Sequence, residues 1–239
     1  MDPLLPPGPA AAGGLAPSSA VVSLLLADAR LPVGGHTQSA GLEPALRSGL
    51  PPEALPAYCR ARLATVVPTE AATAVVTAHL LRSAQPASPT RLAEVAAHWA
   101  ARTPSDAQRH TALELGRGLL RMAGRLWPGH PLLTGWTVPP VRPLVLGAIG
   151  AVAGVHATDL ARVVAYEDVQ TVVAAGLKLS PADPLDSLAW TWELLPDVDA
   201  VAQAVGSLTR PVEIPSSSAP QIEEWAQAHS RATRRLFRA

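Results

Sequence analysis

Leu144 to Val155 is a run of twelve residues without one polar side chain. A helix that crosses a bilayer needs about 20 such residues, so the run is too short to span a membrane. A helix apolar on every side must instead be covered by protein on most of them. Gly147, Gly150 and Gly154 leave room for neighbouring backbones to come close. The chain therefore predicts a bundle with this helix at its centre.

The surrounding segments also read as helices. No stretch sustains period-two alternation between turn pairs, so the fold class is all-α, a single-domain bundle of roughly nine to eleven helices. Ser18 or Ser19 caps a short helix through Val22, Leu25 and Leu26. Glu53 to Val67 carries Tyr58, Arg62 and Val66 on one stripe; Pro68 then punctuates, and Thr69 caps a helix from Glu70 to Ala84 with His79 on its buried face. Gln85 to Ser88 reads as a loop. Ser88-Pro89 and Thr103-Pro104 open the next two helices, the second presenting Leu115, Leu119, Met122 and Leu126 on one side and Arg117, Arg121 and Arg125 on another. Thr158-Asp159 caps a helix that runs to Leu177-Lys178-Leu179, and Asp183-Pro184 and Pro196-Asp197 start two more. Trp190 and Trp192, two apart, point in different directions on a helix.

Three regions follow from this punctuation. Residues 1–18 are Pro, Gly and Ala with Asp2 as their only charge, and lack the basic n-region of a secretory signal, so they read as a disordered extension. Residues 19–210 form the helical domain. Residues 211–239 read as a Pro/Ser linker and a basic end, with Arg231, Arg234, Arg235 and Arg238 on one helical stripe beside Leu236 and Phe237, the only Phe in the chain. A formal net charge of +0 and 16% charged residues give no electrostatic case for nucleic acid or a membrane surface. The single Cys59 precludes an internal disulfide and a thiolate zinc site within one chain, and fits a reducing, cytoplasmic setting.

Leu31-Pro32-Val33-Gly34-Gly35 cannot continue a helix, because Pro32 lacks a backbone donor and adjacent glycines are costly to order. It predicts a tight turn, with Thr37 as N-cap of a helix through Ala40, Leu42, Ala45 and Leu46. Glycines before a helix can also present N–H groups to an anion, but neither a P-loop Lys-Ser/Thr nor G-x-G-x-x-G follows. The seven histidines are scattered; His36, in the turn, is the weak metal candidate, as two copies could meet across a symmetric dimer. No catalytic constellation is visible, which favours an interaction protein over an enzyme.

These stretches together resemble the urease accessory UreF family. Leu31-Pro32-Val33-Gly34-Gly35 with Gly41-Leu42-Glu43, then Gly176-Leu177-Lys178-Leu179-Ser180-Pro181, then Arg235-Leu236-Phe237-Arg238-Ala239 are similar to that family's motifs and stand in the family's order. His36 stands where the family usually has an aromatic residue, and Asp183-Pro184 where Gly-Gln is usual. The resemblance implies an all-α, dimeric, non-catalytic scaffold that binds UreD (UreH in some organisms) and recruits the GTPase UreG. Nickel then reaches the urease apoprotein in transit, with no permanently bound cofactor and no nucleic-acid or membrane partner. It also implies that the turn, Leu31, Pro32, Val33, Gly34 and Gly35, belongs to the partner-binding surface. Glu43 and Lys178 match positions that engage UreG, and Arg235, Leu236, Phe237 and Arg238 match a segment that orders on UreD. Two rivals remain at this stage: an all-α enzyme using the Gly34-Gly35 turn as an anion site, and a DNA-binding regulator.

Overall fold

The computed structural model describes residues 16–28, 30–83, 89–233 and 235–237. The expected extension thus lies almost wholly outside the described residues, as do the loop at 85–88, Arg234 and Arg238. Among the described residues there are ten α-helices and no strand. They are α1 (Ser19–Leu26), α2 (Leu42–Arg47), α3 (Leu55–Ala64), α4 (Val66–Arg82), α5 (Pro89–Ala101), α6 (Asp106–Leu126), α7 (Arg142–Val152), α8 (Ala157–Leu179), α9 (Pro184–Val205) and α10 (Pro220–Ser230).

The apolar run forms α7, buried from Pro143 to Gly150. It shares the centre with α4, whose residues from Ala71 to Ala78 are all buried. The two helices meet at Gly147, where a Cβ would stand 2.5 Å from the Ala74 carbonyl oxygen and 2.5 Å from Thr77 Cβ. Around this pair α6 packs on α7, α8 on α4, and α9 on α8. Among the described residues no single helix is long and apolar enough to cross a membrane. Cys59 is buried on α3, and burial pushes its thiol up to about 12.

Several local expectations shift. Ser18 and Asp183 do cap α1 and α9 through their side chains. Thr37 does not cap α2: its hydroxyl closes a 3-10 turn over Gly35–Thr37, and α2 starts at Leu42 behind a left-handed Gly41. Thr69 is not a cap either, since α4 begins at Val66 with Pro68 in its first turn, where a missing N–H costs nothing. The Thr69 hydroxyl donates to Pro215 O instead. Ser105 rather than Thr103 caps α6, and His156 rather than Thr158 caps α8. Pro196 starts no new helix; it sits inside α9, one turn after Trp192, which is 73% exposed, so water reaches the side of the helix that loses its bond. His79 faces outward rather than into the core.

The stretch after Arg210 is not a slack linker. Ile214 is buried, its carbonyl accepts from Arg102 Nε at 2.7 Å, and Pro215 is held by Thr69. The late arginines do not share a helical stripe, because α10 ends at Ser230 and the described Arg231 and Arg235 follow it.

Gly147→Ala is expected to destabilise the fold by about 1–3 kcal/mol through overpacking, more than the ~1 kcal/mol of helix propensity it gains. At about 2–4 °C per kcal/mol for a chain of this size, a thermal melt reads the difference. Cys59 should react with a thiol reagent at neutral pH only after denaturant is added, because its thiolate is disfavoured and buried; rapid reaction of the native chain contradicts the packing of α3.

Candidate functional site

The turn between α1 and α2 is held from several sides. Gly34 has φ +94° and accepts two bonds from Thr37, one from its backbone N–H at 3.1 Å and one from its hydroxyl at 2.8 Å. Val33 lies directly on α6: a Cβ on Gly118 would come within 2.6 Å of the Val33 carbonyl oxygen. Ala40, at φ +51°, is the only non-glycine residue in the left-handed region among the described residues. That conformation costs about 1 kcal/mol or more. Its carbonyl is clamped by two donors from α3, Tyr58 Oη at 2.7 Å and Arg62 Nη1 at 2.9 Å.

Arg62 reaches further. Its Nε and Nη2 donate to the two oxygens of Asp168 on α8, at 2.9 and 2.6 Å. Burial alone would lower the pKa of Arg62, but the Asp168 carboxylate outweighs it and the net shift is upward, so the guanidinium stays charged in the interior. Beside this pair Arg142, the first residue of α7, bonds Glu167 and stands 3.8 Å from Glu70. Glu70 also accepts from Trp99 Nε1 at 2.6 Å, and burial pushes its carboxyl upward. Two arginines and three carboxylates thus answer one another beneath the turn.

Glu43 forms the other half of the site. It was expected to face a partner, yet it is only 4% exposed, and its oxygens accept from the backbone N–H groups of Leu236 at 2.9 and 3.1 Å and of Phe237 at 2.8 Å. His229 Nε2 lies 3.1 Å from Phe237 O and 3.7 Å from Glu43 Oε2. Phe237 docks into the chain's own core, 4% exposed, whereas Leu236 is 66% exposed. α10 delivers this end to α2: Trp225 packs against Tyr58 with ring centroids 6.1 Å apart, and Gln227 accepts from Ala107 N at the start of α6. Lys178, exposed near the end of α8, places its ammonium 5.4 Å above the Phe237 ring and 3.5 Å from His36 O.

The three sequence motifs therefore meet at one place, Lys178 reaching His36 across 142 residues of chain and Glu43 reaching Leu236 across 193. Pro32, Gly34, Gly35, Arg235 and His229 line a cavity of about 1060 Å³ between the turn, α6 and α10. Leu31, Val33, Lys178 and Phe237 line a smaller one of about 140 Å³ under the turn. Gln38 lines both, and its Oε1 is buried without a partner. His36 is exposed, and among the described residues no group of three His, Cys, Asp or Glu side chains could hold a metal. The Gly34-Gly35 turn makes a poor anion cradle, since the side chain nearest Gly35 is the Glu167 carboxylate, 3.7 Å from where a Cβ would stand. What the arrangement does is fix chain segments against one another.

Residues 51–195 match the UreF family model. The chain is 37% identical over 219 residues to the urease accessory protein UreF of Mycobacterium sp. strain JLS, covering 90% of this chain and 96% of that protein. It is 33% identical over 222 residues to the urease accessory protein UreF of Mycolicibacterium vanbaalenii, covering 92% of this chain and 99% of that protein. The chain belongs to the UreF family. Its matched region, α3 to α9, holds Arg62, Asp168, Arg142 and Lys178, while the turn, Glu43 and Phe237 lie outside that stretch.

The resemblance singles out the turn, Glu43, Lys178 and the Leu236-Phe237 end, but not the Arg62–Asp168 pair that backs the turn at Ala40. Arg62 on an otherwise apolar stripe with Tyr58 one turn earlier was the available signal. Nothing marked Asp168, 106 residues away, as its partner. Asp168→Ala leaves a buried guanidinium unanswered, and a loss of about 3–5 kcal/mol is expected. The thermal midpoint should fall accordingly, and the amides from Gln38 to Gly41 should exchange faster than those of α4 and α7; unchanged exchange there contradicts the clamp on Ala40.

Proposed function

We propose that this UreF family member is a non-catalytic scaffold of urease maturation in the cytoplasm. It binds UreD (UreH) and with it recruits the GTPase UreG, so that nickel passes to the urease apoprotein without a resident ion here. The observation that carries this reading is the convergence of the glycine turn, Lys178 and the Leu236-Phe237 end on one face, although each comes from a different part of the chain. The interior charges pair among themselves, which leaves that face to present a cation, an exposed leucine and shaped backbone. Such groups set partner choice and orientation more than raw affinity.

A homodimer fits the same reading. Leu185, Leu188 and Trp192 stand exposed at i, i+3 and i+7 on α9, an apolar stripe of the kind that associates.

Size-exclusion chromatography with light scattering tests the proposal on the chain alone and mixed with UreD and UreG from the same source. A stable species holding all three is the expected result; a chain that elutes alone beside competent partners overturns it. Lys178→Ala should weaken UreG recruitment about tenfold while the thermal midpoint falls by only a few °C, about what losing one exposed cation–aromatic contact costs, and removal of residues 235–239 should weaken UreD binding by a similar factor.

A further inference from the structure

Two successive backbone N–H groups in an extended chain point to opposite sides. Those of Leu236 and Phe237 instead converge on the single Glu43 carboxylate, so the chain bends at these residues and their amides form a small concave nest. Such nests hold anions. Here the anion belongs to the chain itself. The bend has a directional consequence: it turns Phe237 into the core and leaves Leu236 outward. Two further groups hold the same bend, His229 at Phe237 O and the Lys178 ammonium above the ring. Glu43 is itself aimed from α2, where its backbone N–H donates to Ser39 Oγ at 3.3 Å.

We propose that Glu43 is a positioning residue: its carboxylate, bonded to Leu236 N and Phe237 N, sets the end of the chain in the form that a partner reads, and Glu43 does not touch the partner. With both oxygens turned to the chain's own backbone, a substitution at Glu43 acts on partner binding through the 235–237 segment. The partner half of this inference rests on the scaffold reading above; the clamp itself does not.

The full chain carrying Glu43→Gln keeps the side-chain volume but replaces one acceptor oxygen by an amide donor that faces a backbone N–H. In the isolated protein the Leu236 and Phe237 amides should then exchange at least about tenfold faster, with α4 and α7 unchanged. UreD binding should weaken about as much as on removal of residues 235–239. In the truncated chain Glu43→Gln should cost nothing further, because effects that act through one segment are not additive. Leu236→Pro removes one donor at an exposed position and should give the same release if Glu43→Gln fails to fold. Unchanged exchange at Leu236 and Phe237 overturns the clamp. A full additional loss from Glu43→Gln in the truncated chain overturns the indirect route and makes Glu43 a direct partner contact. If the unaltered chain binds no UreD, the scaffold reading falls, while the exchange measurement still decides the clamp.

Discussion

The buried guanidinium of Arg62 ties the functional face to the bundle. One end of it takes both oxygens of Asp168 on α8, and the other donates to the Ala40 carbonyl in the turn. A charge in a medium of low dielectric requires partners on every side, since desolvation costs several kcal/mol per ion. That requirement makes the geometry strict. With Arg62 in place, α3, α8 and the turn have one relative arrangement, and Ala40 is held in a backbone region that its side chain disfavours. The ion pair shares this task with Tyr58, which donates to the same Ala40 carbonyl, and with Lys178, which reaches His36 O from α8.

The interior polar groups serve orientation more than net stability. Arg142 with Glu167 and Glu70 repeats the arrangement at the start of α7, where this buried apolar helix meets α6 and α8. A buried pair gains little over a well-packed apolar substitute but loses heavily when half is missing, so it specifies one arrangement among the many a bundle of apolar helices allows. The small residues contribute in the same sense. Gly147 admits the α4 backbone and Gly118 admits the turn, so close approach and charge pairing together set where the turn lies.

The segment from α10 onward illustrates how a surface element becomes part of the site. Trp225 against Tyr58 and Gln227 at the start of α6 bring α10 beside the turn, and the chain then folds back so that Phe237 enters the core under Lys178. A cation over an aromatic face and a carboxylate receiving two N–H groups are individually modest interactions. Placed on two consecutive residues, Leu236 and Phe237, they decide which side chain is hidden and which is offered outward.

The all-α class, the buried run at 144–155, the turn at 31–35 and the Asp183 cap were legible because each depends on local chemistry: hydrophobic period, missing donors, a side-chain oxygen two or three residues from a free N–H. Where two cap residues stand close together, as at Thr103 and Ser105 or His156 and Thr158, local chemistry does not choose between them; the structure has Ser105 and His156 as the caps. The family motifs, likewise, named Glu43, Lys178 and the Arg235 to Phe237 end from the sequence. Only the tertiary structure decided that Glu43 faces inward, that Phe237 is its neighbour 194 residues on, and that Arg62 belongs to Asp168. The reason is physical: a charged residue reads the same on a solvated face as in the interior, and which it becomes depends on what the fold brings within three ångströms of it.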